Sequence, residues 1–357
     1  MCAEFNVSRV MKSTFARWFT ETMLVQPSVS SYLEPLIRLV DPHFRAGAFA
    51  AKIVKITKQA GSIGLTLKPS ASFPTFLPGQ HLDVSVEIAG RRVQRTFSIC
   101  SSLQLFQQQG LIELAIRLVP NGQFSQWLQQ SMRLGNWLHL SSPYGEFSLD
   151  QTKPMVLIAA GSGITPFRSM LLSISRLTKP LTLIYSYRKE PWFYEELEAL
   201  AEKFPLFRFI AHDTATQARL TAEQVLKWVT PNHDANFYLC GPQGFSEALL
   251  QPLMQAGNRV SFESFGGFTQ GGESNQITFH LHNSQRRIAG KGVLLQIAEQ
   301  AGLNPTYGCR RGICQQCQCQ KISGQVRNLL TGELSGAGVE PIQLCISEAV
   351  TSLDIRL

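Results

Sequence analysis

Nine residues near the C-terminus restrict this chain more than any other stretch. In Cys309-Arg310-Arg311-Gly312-Ile313-Cys314-Gln315-Gln316-Cys317, four residues separate the first two cysteines and two separate the next pair; Cys345 follows after 27 more. A [2Fe–2S] cluster takes four thiolates, and this spacing supplies them. The segment must wrap round two irons and turn backbone N–H groups toward the sulfurs. Gly312 removes a side chain from the crowded side and permits a positive φ. The expected metal ligands are therefore Cys309, Cys314, Cys317 and Cys345. A structural zinc site brings two close Cys/His pairs, and only one C-x2-C pair is present. Disulfides suit a small secreted chain, which this is not. Cys319 reads as a spare thiol, and Cys2 and Cys100 as plain ones.

The run resembles the cluster segment of a plant-type ferredoxin domain, which would account for a small part of 357 residues. A chain of this length holds two or three domains. Its 44% hydrophobic and 16% charged content is that of an ordinary globular protein. No apolar run approaches the ~18 residues of a membrane span. The first 20 residues lack the continuous apolar centre of a signal peptide, so a cytoplasmic protein is expected, with peripheral contact at the inner membrane face left open. The net charge of +8 favours acidic partners or an anionic membrane surface. No basic block with interleaved aromatics points to nucleic acid.

Residues 1–48 read as a helical N-terminal extension. Met11, Phe15, Trp18 and Met23 fall near one face, with Arg9, Lys12 and Arg17 among them. A second piece, 32–40, carries Leu33, Leu36, Ile37 and Val40 before Asp41-Pro42. Packing of these helices on the body is the plain expectation. Docking to lipid or to a membrane-bound partner is the sharper one.

From residue 49 short alternating strands take over, at 51–57, 65–68, 81–88, 93–99, 111–118 and 137–141, with turns at Pro78-Gly79, Ala89-Gly90 and Asn121-Gly122. They suggest a small antiparallel β-barrel over 49–150. Arg95-Thr96-Phe97-Ser98 ends one strand, and Asn121-Gly122-Gln123-Phe124-Ser125 precedes a short helix at 126–132. An arginine and a helix N-terminus are what a pyrophosphate needs.

This Arg-x-Phe-Ser resembles the Arg-x-Tyr-Ser signature of the ferredoxin–NADP⁺ reductase superfamily, and Pro143-Tyr144-Gly145-Glu146-Phe147 resembles that family's close of the flavin domain. The resemblance implies FAD, with FMN as the alternative. Arg95 would hold phosphate, Phe97 would stack near the isoalloxazine, Ser98 would bond near flavin N5, and Gly122 and Ser125 would meet the pyrophosphate. Thr96, Arg117, Gln123 and Phe124 complete the implied flavin set. Phe97 departs from the usual tyrosine, which keeps stacking and loses the phenol.

An apolar parallel-type strand, 154–160, then feeds Gly161-Ser162-Gly163-Ile164-Thr165-Pro166 and a helix at 167–176. Strands at 181–187, 207–211 and 236–239 alternate with helices at 194–203 and 222–229. The last strand leads into Cys240-Gly241-Pro242. This rhythm indicates an α/β Rossmann-like NAD(P) domain over 151–266, with ligands at the strands' C-terminal ends. The glycines let the backbone approach a phosphate; by the same resemblance Thr165 and Cys240 sit beside the nicotinamide, and Gly161, Ser162, Gly163, Pro166, Gly241 and Pro242 complete the implied nucleotide-binding set. Ser186 and Arg188 are placed for the adenosine ribose. With Lys189 they suit a 2′-phosphate, and no carboxylate is expected there, so the reading leans to NADPH over NADH. Phe262-Glu263-Ser264-Phe265-Gly266 resembles the Glu-x-Phe terminus of flavohaemoglobin-type reductase domains. There the acid (Glu263) lies near the flavin's redox face and the aromatic (Phe265) shields it. The alternative makes Phe262 and Phe265 core residues.

A Gly/Ser-rich linker is expected at 267–275. Strands at 277–281 and 287–289, a helix at 293–301, the cluster loop and a strand at 352–357 give a β-grasp [2Fe–2S] ferredoxin domain over 276–357. Arg310 and Arg311 in the loop favour an acidic docking face on the acceptor.

Joined in this order, the modules resemble fused reductases that feed electrons to oxygenases and desaturases. A hydride carries two electrons and the cluster accepts one at a time; a flavin converts between them. Ser98, Cys240, Glu263 and Phe265 are the implied residues nearest the reacting atoms. The extension and the basic charge resemble the partners of membrane-bound acyl-CoA (stearoyl-CoA Δ9-type) desaturases. A soluble ring-hydroxylating or steroid oxygenase is the alternative acceptor. A redox-sensing cluster protein without fast turnover is the alternative of another class.

Overall fold

The computed structural model describes residues 33–34, 36–59, 61–88, 91–120, 122–229, 234–265, 274–281, 284–303, 305–307, 312, 315–329 and 331–357. The expectations for Met11 to Met23, Asn121, most of the linker, Cys309, Cys314, Arg310 and Arg311 lie outside the described residues, as does the Phe265 side chain.

Six antiparallel strands build the first unit: β1 (Phe49–Gln59), β2 (Ser62–Pro69), β3 (His81–Ile88), β4 (Arg91–Ser98), β5 (Ile112–Arg117) and β6 (Trp137–Leu140). Their order is β4-β3-β6-β1-β2-β5, a nearly closed barrel. Period-two alternation turns Ile63, Leu65 and Leu67 of β2, Leu82 and Val84 of β3, and Ile112 and Leu114 of β5 into one core. Two short helices lie outside the ladder. The first, α1 (Leu103–Gln109), was not expected; the Ser102 hydroxyl accepts from the Leu105 N–H and Gly110 closes it at φ 65°. The second, α2 (Gln123–Gln130), has Gly122 as its N-cap and begins three residues before the expected helix.

The second unit is a parallel sheet in the order β11-β10-β7-β8-β9. Its strands are β7 (Met155–Ala160), β8 (Leu181–Tyr187), β9 (Phe207–Asp213), β10 (Asn236–Pro242) and β11 (Arg259–Phe265). All of β7 is buried, because helices cover both faces. On one face Leu157 and Leu183 pack with Phe167; on the other Val156 and Ile158 pack with Leu249 and Leu253. The covering helices are α3 (Ile164–Leu172), α4 (Tyr194–Lys203), α5 (Ala222–Trp228) and α6 (Gln243–Gln255). Helix α3 begins before Pro166, which fits in a first turn where no N–H is needed. Strand β11 shows that Phe262 to Phe265 of the Glu-x-Phe motif lie on an edge strand, paired with β10 so that Glu263 stands opposite Cys240. Phe262 is 44% exposed, so it is not a core residue.

The C-terminal unit is a mixed sheet, β13-β12-β18-β14-β16, made of β12 (Asn275–Leu281), β13 (Ser284–Gly290), β14 (Gln318–Ser323), β16 (Glu340–Gln343) and β18 (Leu353–Arg356). Between them, β15 (Val326–Asn328) and β17 (Ser347–Ala349) form a small pair that was not expected. β12 and β18 run parallel at the centre, and α7 (Leu294–Gln300) sets Leu294, Leu295, Ile297 and Ala298 in the core beside them. The buried Lys321 ammonium donates to the Gly324, Gly336 and Gly338 carbonyls and meets Glu340, which pins the loop between β15 and β16.

The expectation that the apolar residues of 32–40 pack on the body holds only for the half-buried Ile37. Leu36, Leu39 and Val40 are exposed at 65%, 81% and 91%. The segment after them docks instead. His43 stacks on Trp137 at 4.4 Å, the His139 ring contacts the His43 carbonyl, and Arg45 bridges Glu34 and Glu87.

Candidate functional site

Strand alternation divides the Arg95-Thr96-Phe97-Ser98 motif between two faces. Arg95 and Phe97 lie opposite Val84 and Leu82, whereas Thr96 and Ser98 lie opposite Asp83 and His81. On the first face the half-buried Phe97 ring stands 5.5 Å from Phe124 of α2. Arg95 donates to the Gln94 carbonyl and, at 3.2 Å, to the Tyr307 hydroxyl of the C-terminal unit. The Ser125 hydroxyl accepts from the Val119 N–H at 2.9 Å, which closes the loop that ends at Gly122.

On the second face the buried Asp83 carboxylate accepts from Thr96, Tyr144 and Gln94. The Thr96 hydroxyl is thereby committed to Asp83. The Ser98 hydroxyl is buried and has no hydrogen-bond partner. Across the ladder His81 is 0% exposed; its Nδ1 lies 3.3 Å from Glu263 Oε1, within ion-pair range though outside hydrogen-bond geometry. The ring also meets Tyr144 edge-on at 4.3 Å. A Cβ on Gly145, at φ 110°, would come within 2.7 Å of His81 Cε1, so the motif glycine is what admits the imidazole. His81, Asp83 and Tyr144 as a network were not legible beforehand: no spacing links them.

The nicotinamide-side residues gather at the C-terminal ends of β7 and β10, as Rossmann-like folds arrange their ligands. Gly161 to Gly163 form a 3-10 turn, and Thr165 donates to the Ser162 carbonyl at 2.9 Å. A Cβ on Gly163 would lie 2.1 Å from the Cys240 carbonyl oxygen, so the two backbone stretches touch. Cys240 is fully buried, Gly241 is crowded by Ala160 and Phe245, and Pro242 caps α6. Arg117, at the end of β5, reaches close to Gly161. Ser186 is buried one residue before the end of β8, and Arg188, just past that end, is exposed. A carboxylate does stand near this corner, contrary to expectation: Asp213 ends β9 opposite Tyr187 and accepts from the Lys189 and Ala215 N–H groups, at 3.1 and 2.8 Å. Those two donors outweigh partial desolvation and hold its pKa below the usual carboxylate range.

At the cluster segment, Gly312 has φ 77°, and a Cβ there would strike Ile346 at 2.7 Å. Its N–H donates to Cys345 Sγ at 3.2 Å, the backbone-to-sulfur bond that the spacing demanded. The Leu344 N–H donates to the Cys317 carbonyl, so the segments carrying the two described candidate ligands, Cys317 and Cys345, are tied together. Burial pushes the Cys319 thiol up to about 12.

These residues suit the groups implied. Buried polar atoms normally have partners. Yet Ser98 Oγ, His81 Nε2 and Glu263 Oε2 are buried without one, all where the barrel meets the parallel sheet. A ring edge rich in nitrogen and oxygen lodged there would satisfy them. The thiolate set, with an N–H already aimed at one sulfur, suits an iron–sulfur cluster. Fold and site together define an electron-transfer oxidoreductase in which flavin, pyridine nucleotide and cluster have separate cradles.

Comparison with known proteins agrees. The model described as an oxidoreductase FAD-binding domain matches residues 50–149, that of an oxidoreductase NAD-binding domain 157–251, and that of a 2Fe-2S iron-sulfur cluster binding domain 279–349. The chain is a member of the ferredoxin–NADP⁺ reductase superfamily fused to a [2Fe–2S] ferredoxin domain, an NAD(P)H-dependent reductase that uses FAD and the cluster. An NADPH oxidoreductase of Mycobacterium tuberculosis is 28% identical over 88% of this chain and 85% of its own length. The ferredoxin reductase component of a 3-ketosteroid-9-alpha-monooxygenase from Rhodococcus rhodochrous is 28% identical over 60% of this chain and 68% of its own. Phthalate dioxygenase reductase shares the fold, with a TM-score of 0.61 at 24% identity, over 87% of this chain and 98% of that one.

Proposed function

We propose that the chain passes electrons from NADPH through FAD and the cluster to a membrane-bound acyl-CoA desaturase of the stearoyl-CoA Δ9 type. The domain limits are 49–150, 151–266 and 276–357. A bound flavin takes an electron pair and releases electrons singly, which the cluster requires. The protein's part is to hold and orient. Arg95, Gly122 and Ser125 hold the FAD phosphates, Phe97 lies along the ring, and Ser98 and Glu263 present polar atoms to its edge. Thr165 and Cys240 place the nicotinamide, and burial keeps water from it. Ser186, Arg188 and Lys189 hold a 2′-phosphate; the relative named NADPH oxidoreductase supports this choice. Reduction rates with both nucleotides test it, and a strong NADH preference refutes it.

One observation carries the choice of acceptor. Leu36, Leu39 and Val40 are exposed just ahead of a segment that Arg45 and His43 fasten to the barrel, in a chain of net charge +8. An apolar edge on a basic protein suits peripheral contact with an anionic membrane. Among the described residues no helix is long and apolar enough to cross one. Co-expression with a membrane-bound desaturase is expected to raise unsaturated acyl chains, and no rise refutes the choice. Relatives named as the ferredoxin reductase component of a 3-ketosteroid monooxygenase and the electron transfer component of a toluate dioxygenase favour a soluble oxygenase as the second reading. Rapid cytochrome c reduction by NADPH eliminates a slow redox sensor.

A further inference from the structure

Arg95 and Tyr307 are 212 residues apart in sequence and join two units. The arginine lies on β4, in the motif expected to hold FAD phosphate. The tyrosine stands two residues before Cys309. Arg95 Nη2 donates to the Tyr307 hydroxyl at 3.2 Å, and the guanidinium carbon lies 5.2 Å from the centre of the Tyr307 ring. A hydrogen bond and a cation–π contact thus fall on one pair of side chains. The second guanidinium nitrogen donates to the Gln94 carbonyl at 2.7 Å, which fixes the head of the arginine relative to its own strand.

We propose that Tyr307 is a positioning residue for electron transfer between flavin and cluster: it seats the cluster loop on the arginine that holds the flavin's phosphate. This rests on the reading of Arg95 as a flavin ligand. The step it serves moves one electron from the bound flavin, oxidised by one, to a ferric iron, reduced to ferrous; NADPH supplies the electrons and no bond forms or breaks. A contact beside the flavin cradle, two residues from a cluster ligand, selects the arrangement with the two centres adjacent. It also couples docking to flavin occupancy, since the guanidinium that Tyr307 rests on is the one that meets the FAD phosphate.

The test compares Tyr307→Ala and Tyr307→Phe with the wild-type holoenzyme. Four quantities are measured: NADPH–ferricyanide activity, which the flavin alone supports; cytochrome c reduction, which needs the cluster; iron and sulfide content; and the small-angle scattering radius with and without FAD. For Tyr307→Ala, ferricyanide activity within twofold of wild type and full iron are expected, with cytochrome c reduction down about tenfold. The radius should grow, and its dependence on FAD should disappear. Tyr307→Phe, which keeps the ring over the guanidinium, should lie between. Unchanged cytochrome c reduction in Tyr307→Ala overturns the proposal. So does a loss that tracks iron content, since Tyr307 would then only shape the loop. A wild-type protein inactive toward ferricyanide overturns the flavin reading beneath it, a result distinct from both.

Discussion

Replacing Arg168 with methionine should uncouple the barrel from the nucleotide sheet. Arg168 lies on α3, just past the Gly161 to Pro166 turn. Its guanidinium donates to the Cys100 carbonyl at 2.9 Å and to Glu113 at 2.7 Å, both from the barrel. It also forks onto Glu196 of the nucleotide sheet's α4, at 2.5 and 3.1 Å, and lies 4.4 Å over the Phe193 ring. Burial works against its charge, but the Glu196 and Glu113 carboxylates outweigh that and hold its pKa above the ordinary value. The same helix bonds further along: Ser169 donates to the Ser101 carbonyl, and Ser173 accepts from the Leu103 N–H. Helix α3 is therefore a strut from the segment that follows Ser98 to the turn that carries Thr165.

The magnitude follows from exposure. Removing one partner of a fully buried pair costs about 3–5 kcal/mol. Here the Arg168 side chain is 12% exposed, but Glu113 and Glu196 are 31% and 36% exposed, so water takes over much of their charge. A loss of about 2 kcal/mol is the reasonable figure. Hydride transfer is sensitive to ~1 Å of misplacement, which can cost about 100-fold, so stopped-flow bleaching of the flavin by NADPH should slow at least tenfold in Arg168→Met. Arg168→Lys, which keeps charge and loses the fork, should fall between. If Arg168→Met bleaches within twofold of wild type and unfolds at the same urea concentration, the strut argument is wrong.

Two further outcomes are expected. Cys345→Ser should lose the cluster's iron and visible absorbance yet retain NADPH–ferricyanide activity; loss of both with FAD content intact would contradict separate cradles. Glu34 fastens the segment before the barrel: partial burial opposes its charge, but the Ala46 N–H and Arg45 outweigh that and hold its pKa below the usual range. A lowered folded pKa gives stability that is full above the unfolded value and lost as pH falls through the folded one. Limited proteolysis ahead of residue 49 should therefore be slow at pH 6 and faster as the pH falls toward 3; Glu34→Gln should be cut quickly throughout, and equal rates for both proteins would refute the role of this carboxylate.

Local chemistry made much of this protein legible in one dimension. The cysteine spacing must close on a cluster within a few residues, so it carries its own geometry. The apolar run before Gly161 and the strand–helix rhythm after it mark a parallel sheet, because a strand buried on both faces has no polar alternation. The alternating segments from residue 49 mark a barrel for the converse reason. Strand β11 was hidden, since an edge strand with an exposed Phe262 lacks either pattern.

Tertiary structure alone decided what meets across units. His81 and Glu263, Arg168 and Cys100, and Arg95 and Tyr307 sit on segments whose own patterns are fully explained without the partner. Side-chain pairing at that range depends on how whole domains pack, which local periodicity does not encode. The chain by itself thus announces which groups it binds; their arrangement relative to one another is set by contacts between surfaces that become neighbours only after each unit has folded.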